Sequence, residues 1–527
     1  MGGDDRVRTA EVIAALSLAT DLGVGLPFEH GLQSTLVALR LAERLDVDSG
    51  TASDAYYGCL LFYIGCTADA DLSAELFAEG ALFSHFNPVA FGSPLQIVTG
   101  IMHALADPDA GLASNTLRIA GRLPRAIRGH QAHITALCEV AVMLTDRLGL
   151  PASVRDLFRS LIERWDGKGQ PDGLRGEDIP LPLRIMHVAR DAIFQQLVGG
   201  TSYAAGVTRE RAGHAFDPRI AHLLADEAED ILAFDDDTSA WSEVLDREPG
   251  GRPALAGTAI DDALAAIADF SDLISPYLVG HSSGVAELAA SAGRLYGLSE
   301  AAVVALRRAA LVHDVGRVGV STGIWQKSAR LTEHEREQVR LHAYHSERVL
   351  CRSPFLAAIA PVATAHHERL DGSGYHRGTT AAALTPPARL LAAADAYHAM
   401  TEPRPYREAL TPTQAADVLG AEARAGRLDA ASADAVLAAA GHQVRRLDRP
   451  AGLTDREIEV VALLARGLPT KQIARTLGIS VKTADRHLQN AYPKIGVSSR
   501  AAAALFAMEH GLIRWGEFPI AGSHGRS

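Results

Sequence analysis

The sequence predicts a mostly α-helical protein: two related helical domains in tandem, then a small four-helix domain near the C-terminal end. Three observations carry this expectation. Alanine- and leucine-rich helical periodicity runs through most of the 527 residues, with few strand-like runs. Four sequence blocks recur in one order along the chain. The stretch from Ala451 onward carries ten Lys/Arg against six Asp/Glu, a net +4 in a chain of net −12, which leaves −16 for the rest.

The repeat is read block by block. "FEHGLQSTLVALRLAERLDV" from Phe28 pairs with "VGHSSGVAELAASAGRLYGL" from Val279. "LLFYIG" from Leu60 pairs with "LVHDVG" from Leu311, and the intervals agree: His30 to Phe62 and His281 to His313 are both 32 residues. "IERWDGKGQPDG" from Ile162 pairs with "HERLDGSGYHRG" from His367, and an Arg-led helix follows each, from Arg184 and from Arg389. The expected division is 1–245 for the first copy, 246–257 for an acidic, Pro/Gly-rich linker, 258–442 for the second copy, 450–515 for the end domain and 516–527 for a flexible tail.

Composition narrows the function classes. Apolar residues make up 47%, enough for packed cores. Cys59, Cys66, Cys138 and Cys351 show no CxxC spacing, so neither a zinc ribbon nor a disulfide framework is expected, only buried reduced thiols. Asp4, Asp5 and Glu11 sit where a signal peptide needs positive charge, and no apolar run approaches the ~18 residues of a membrane span. A cytoplasmic protein with no membrane partner is expected. The overall acidity excludes a chain that coats nucleic acid, while the basic end implies a separate module with an anionic partner.

The second copy gathers His281, His313, Asp314, His342, His366, His367 and Asp395, several of them inside apolar helical runs. Burying acids and imidazoles there is costly unless they pair or hold a metal. Imidazole and carboxylate suit iron, manganese or zinc, and the lack of cysteine disfavours structural zinc. An aspartate beside a histidine can bridge two ions, which can hold a bridging hydroxide and clamp a phosphoryl group. Arg317, one turn past Asp314, could meet phosphate oxygens.

This order, H…HD…H…HH…D with "HHERLDGSGY", resembles the HD-GYP family, a branch of the HD-domain metal-dependent phosphohydrolases, over most of residues 270–440. The resemblance implies an all-helical fold, an iron or manganese centre and phosphodiesterase activity on cyclic di-GMP or another nucleotide phosphoester. It implies that the seven residues above are ligands, that Asp314 is the bridging carboxylate, and that Asp314 and Arg317 serve catalysis. Three departures stand out. Arg317 replaces the family's lysine, His376 replaces the proline of the GYP signature, and Tyr277 stands where trinuclear members carry a glutamate. Two metal ions are therefore expected, not three.

In the first copy His30 survives, but Phe62–Tyr63 replace the HD pair and Leu161–Ile162 the histidine pair. Arg190 falls at the last aspartate, and Leu137 and Cys138 fall near the third histidine. Such a set cannot hold a divalent ion. A metal-free relative is expected, either as packing scaffold or as a ligand-sensing or dimerising domain.

In the basic end, Thr454-x-x-Glu457 forms a capping box, Gly467 ends that helix, and a short helix follows around Lys471 to Leu477. "GIS" makes a tight turn and Ser480 caps a helix from Val481 to about Tyr492, with Ala484, Leu488 and Tyr492 facing inward. This is helix-turn-helix geometry, whose second helix enters the major groove. With LTxRE, IAxxLGIS and KIGVSSR in place, Leu453–Ile513 resembles the LuxR-type helix-turn-helix domain. The resemblance implies that Lys482, Thr483, Arg486, His487 and Gln489 face DNA, that Lys471, Lys494 and Arg500 lie near phosphates, and that the alanine-rich last helix (Ala501 to Met508) joins a homodimer. Pro469 replaces the usual serine, at a position where a first-turn proline is tolerated.

Three functions fit this sequence. The chain is a transcription regulator coupling a phosphodiesterase to DNA binding, or a non-catalytic nucleotide or metal sensor that controls DNA binding, or a phosphohydrolase whose end domain mainly dimerises it.

Overall fold

A computed structural model describes residues 6–65, 89–106, 111–234, 239–441 and 450–513. Cys66 and the 516–527 tail lie outside them. The described residues are mostly helical, as the periodicity predicts, and they divide into two compact units, Met1–Ile260 and Asp261–Ser527. No helix among the described residues is long and apolar enough to cross a membrane.

The first unit opens with strand β1 (Arg6–Arg8) and helices α1 (Thr9–Val24), α2 (His30–Arg44) and α3 (Ser49–Leu60). Two long helices follow, α4 (Leu112–Arg147) and α5 (Leu181–Arg211). α2 buries Leu32, Leu36 and Leu41, one face at helical spacing, and packs on α3 and α5. Strand β2 (Ala254–Ala256) pairs antiparallel with β1, Val7 opposite Leu255. The stretch expected to be a linker thus closes the first unit: its alternating Leu255 finds an apolar seat, with 7% exposure.

The second unit begins with α6 (Thr258–Asp272), α7 (His281–Tyr296) and α8 (Glu300–Val312). It continues with α9 (Glu333–Leu350), α10 (Pro354–Ala363), α11 (Pro386–Thr401), α12 (Pro412–Arg424) and α13 (Ala430–Ala440). α7 is central, packed on α8, α11 and α13. Caps fix where helices begin. Ser299 accepts from Ala302 N to start α8, and Thr332 with Glu335 forms a capping box on α9.

Four short helices close the chain: α14 (Asp455–Ala465), α15 (Thr470–Thr476), α16 (Val481–Ile495) and α17 (Arg500–Glu509). The Thr454–Glu457 capping box and the Ser480 cap form as expected, while Pro469 stands at the N-cap position just before α15, outside the first turn and without a side-chain cap. α16 runs to Ile495, past the expected end, with Pro493 inside it and Gly496 as a left-handed cap. Its buried seam is Ala484, Leu488 and Ala491, while Tyr492 is only half-buried. α17 differs from expectation: Ala501 to Ala507 are all buried within the chain, so this run is core and not an offered dimer surface. Of the thiols, Cys59 and Cys138 are buried but Cys351 is exposed, because it caps the C-terminal end of α9.

Candidate metal centre

Each ligand candidate is placed by a local device. His281 is the first residue of α7, after Gly280 in a left-handed conformation (φ 79°). Asp272, at the end of α6, accepts from the Ser282 amide and hydroxyl, both at 2.8 Å, and so anchors the start of α7. His313 and Asp314 follow the last turn of α8. Ser346 on α9 locks that turn, donating to the His313 carbonyl (2.8 Å) and accepting from the Gly316 amide (2.9 Å). Gly316 is required here, since a Cβ would lie 2.2 Å from the His342 carbonyl oxygen. His342 lies in α9, His366 and His367 just after α10, and Asp395 in α11.

Three of the histidines are oriented alike. Nδ1 of His313, His342 and His366 donates to the carbonyl three residues earlier, of Ala310, Val339 and Ala363. That fixes the tautomer and leaves each Nε2 to face the centre. There Asp314 Oδ1 lies 3.3 Å from His342 Nε2 and 3.4 Å from His366 Nε2. Its Oδ2 lies 2.7 Å from His313 Nε2, 3.5 Å from His281 Nε2 and 2.6 Å from Arg317. Asp395 Oδ1 is 3.2 Å from His281 Nε2, and its Oδ2 is 3.8 Å from His367 Nδ1. The seven expected residues therefore converge, with the two oxygens of Asp314 facing two groups.

The donor set fits divalent ions. One cluster is His281, His313, Asp314 and Asp395; another is His342, His366 and His367; within each, the ligating atoms lie within 4.8 Å of one another. Both Asp314 oxygens, His313 Nε2 and Asp395 Oδ1 are buried and, despite these close approaches, none makes a well-directed hydrogen bond. Buried polar atoms are normally satisfied, so this convergence marks a place where a cation belongs. Charges are already separated there. Burial opposes ionisation of Asp314 and Asp395, yet Arg317 and the histidines outweigh it and hold both carboxyls well below the usual range. Burial pushes His366 down to about 4, whereas Asp314 and Asp395 overcome burial at His313 and hold it at about 9.

The "HHERLDGSGYH" segment divides its labour. Glu368, 2% exposed, accepts from the Arg377 and Thr379 amides (2.8 Å each) and clamps the turn. The first copy repeats this: Glu163 accepts from Asp172 N (2.8 Å) and Gly173 N (3.0 Å). The acid and the DG turn are scaffold in both copies, and the histidine pair is present only in the second. Tyr375 stacks on His367, centroids 4.6 Å apart, and His376 turns to Glu347 at 2.8 Å, away from the ligand cluster.

In the first unit the corresponding place is filled by protein. Arg190 lies 4.2 Å over the Phe62 ring and 4.7 Å over Tyr63, whose hydroxyl accepts its Nε–H at 2.7 Å. His30 is buried, and burial with Arg190 nearby pushes it down to about 3. A Cβ at Gly65 would lie 2.1 Å from the Leu137 carbonyl, the same close approach as Gly316 to His342, which pairs Leu137 with His342.

Sequence reasoning missed Glu402 and His398. Glu402 Oε2 is 2.8 Å from His281 Nδ1, and Oε1 is 3.1 Å from His398 Nδ1. The i, i+3 spacing of Asp395 and His398 on α11 was a signal for His398 alone, since Glu402 lies just past the helix end in extended conformation.

On the end domain, Lys471, Lys482, Arg486 and Gln489 are exposed, and Gln489 donates to Asp485 at 3.1 Å. Thr483 and His487 are half-buried; Thr483 bonds Ser480 Oγ at 2.7 Å. Lys494 pairs with Glu457 (2.7 Å), and Arg500 donates to the Leu464 carbonyl (3.0 Å) and to that of Leu468, so both cations are engaged inside the domain.

Comparison with known proteins agrees with this geometry. An HD domain profile matches residues 125–220 and 267–432, and the profile of bacterial regulatory proteins of the luxR family matches 451–507. The chain is 30% identical over 407 residues to 3'3'-cGAMP-specific phosphodiesterase 3 of Vibrio cholerae, covering 76% of this chain and 88% of that relative. It is 34% identical to 3'3'-cGAMP-specific phosphodiesterase 1 of the same organism over 171 residues (32% of this chain, 40% of the relative). It is 33% identical to a cyclic di-GMP phosphodiesterase of Thermotoga maritima over 156 residues (28% and 42%). A crystal structure of a cyclic GMP-AMP specific phosphodiesterase from V. cholerae shares the fold, with a TM-score of 0.58 at 24% identity, covering 83% of this chain and 99% of that one. With a metal-ligand set converging in one helical unit and a helix-turn-helix at its end, the chain belongs to the HD-domain family, in its HD-GYP branch, and carries a LuxR-family DNA-binding domain.

Proposed function

We propose that this protein hydrolyses a 3',5'-linked cyclic dinucleotide, 3'3'-cGAMP or cyclic di-GMP, at a two-metal centre and that this event controls DNA binding by its end domain. The observation that carries the reading is the convergence of four buried histidines, His281, His313, His342 and His366, on the two oxygens of Asp314, with Asp395 and His367 beside them. His281, His313, Asp314 and Asp395 would hold one ion; His342, His366 and His367, with Asp314 between, the other. Iron or manganese suits these donors. When bound, such ions lower the pKa of a water and draw charge from phosphoryl oxygens. Arg317 supplies a fixed positive charge: its Nε and Nη1 are buried without hydrogen-bond partners and can donate to phosphate oxygens. Tyr375 and the clamped turn shield the His367 side. The domain division 1–245, 258–442 and 450–515 is part of this reading, as is binding to DNA as a homodimer. Lys482, Arg486 and Gln489 would read bases from α16, with Lys471 on phosphate.

Purified protein reconstituted with Mn(II) or Fe(II) should linearise 3'3'-cGAMP or cyclic di-GMP, and Asp314→Ala should not. A sensor without turnover is the second reading. Arg317 favours it, since its guanidinium lies 2.6 Å from Asp314 and 3.3 Å from His281 Nε2, on the face an ion would use. Metal and nucleotide binding without hydrolysis would select that reading.

A further inference from the structure

Three ligand histidines hand their Nδ1–H to a backbone carbonyl, and His281 does not. Its Nδ1 faces the Glu402 carboxylate at 2.8 Å. Glu402 is fully buried, just past the end of α11, and Arg404 reaches the same oxygen at 2.8 Å. Its other oxygen lies 3.1 Å from His398 Nδ1. A carboxylate is buried at this depth only when paired, and here three groups converge on it. Burial alone would raise its pKa, but His281, His398 and Arg404 hold it well below the usual range.

His398 is wedged in place. Its ring meets the His281 ring edge-on, with centroids 5.3 Å apart. It occupies the gap left by Gly284 on α7, where a Cβ would lie 2.0 Å from His398 Nε2. Glycine inside a helix is destabilising relative to alanine. The imidazole is the physical reason this one is there.

We propose that Glu402 and His398 are positioning residues. Glu402 accepts the His281 Nδ1–H and aims Nε2 at the metal, while His398, seated against Gly284, fixes the Glu402 rotamer. A carboxylate behind an imidazole makes it a more basic ligand than a carbonyl does. The ion held by His281, His313, Asp314 and Asp395 therefore depends on Glu402, and the ion held by His342, His366 and His367 does not. This rests on the two-metal reading above.

The test is Mn(II) titration of the metal-free full chain, followed by the EPR signal of free ion, for wild type, Glu402→Gln and Gly284→Ala. Wild type should show two classes of site. Glu402→Gln should weaken one class by roughly 10–100-fold and spare the other, the size expected when an outer carboxylate is removed. Excess Mn(II) should then restore kcat on the cyclic dinucleotide at unchanged KM. Gly284→Ala, which evicts the imidazole from the neighbouring helix, should shift the same class in the same direction. Superimposable titrations for wild type and Glu402→Gln overturn the proposal, and so does equal loss of both classes in Glu402→Gln and Gly284→Ala. If wild type binds two ions yet cleaves no cyclic dinucleotide, the phosphodiesterase reading fails while the titration still decides the positioning roles.

Discussion

At the residue scale, Arg317 decides how well the centre works. It is 5% exposed, contacts Asp314 and His281, and packs its guanidinium over the Trp325 ring at 5.6 Å. A planar guanidinium spans more atoms than an ammonium and cannot lose its charge. Arg317→Lys should therefore free the Asp314 Oδ2 face, and Mn(II) should bind several-fold more tightly, as the same Mn(II) titration reads; an unchanged affinity argues that Arg317 swings clear on its own. The converging histidines and aspartates were legible in the sequence, because histidines amid apolar runs declare a cost that something must offset. Glu402 was not legible. It follows a helix end, in "HAMTEPRPYR", where an acid next to arginines reads as an ordinary surface group. Only the fold brings it behind His281, 121 residues earlier.

At the element scale, the two copies share turns and differ in what fills them. Both keep a buried aspartate ahead of the first histidine: Asp21 accepts from Gly31 N at 3.1 Å as Asp272 does from Ser282 N at 2.8 Å. The repeat was readable because spacing survives divergence. The cation filling the first copy was only partly readable, since Arg190 could be aligned but its stacking on Phe62 could not. That filling has a pH signature. His30 and His187 are pushed by burial to about 3 and about 4, against ~6.5 in an unfolded chain. Their folded pKa values are depressed, so the unfolded state binds their protons first as pH falls. The stability present above pH ~6.5 is lost on acidification, about 2 kcal/mol per histidine between pH 6.5 and 5. Asp21, held well above the carboxylate range by burial, opposes them. Thermal unfolding of the full chain at both pH values should show a smaller loss of first-unit stability in His30→Asn than in wild type, a comparison in which the Asp21 contribution cancels. Equal losses would mean that His30 is not buried neutral.

At the scale of the whole molecule, an HD-domain unit and a LuxR-family DNA-binding domain share one chain, so ligand occupancy can favour one DNA-binding state over another only through differential affinity. The exposed Lys482 and Arg486 on α16 give this end a test of its own. Lys482→Ala and Arg486→Ala, at two base-reading positions, should each cost about 1–3 kcal/mol with relaxed sequence preference. Fluorescence anisotropy with fragments of the protein's own promoter measures both, and binding equal to wild type in the double variant contradicts the groove assignment. The helix-turn-helix was legible nearly residue by residue, because caps and glycine turns are local. The burial of α17 was not, because alanine runs look alike whether they meet the same chain or a second copy.

We propose that Asp314 organises two ions for hydrolysis of a cyclic dinucleotide. Its most direct test couples metal analysis to turnover on 3'3'-cGAMP and cyclic di-GMP, for wild type and Asp314→Ala. Wild type should carry two ions per chain and yield linear product, with neither full metal loading nor product in the variant. Two bound ions with no cleavage of either nucleotide, or undiminished cleavage by Asp314→Ala, would contradict it.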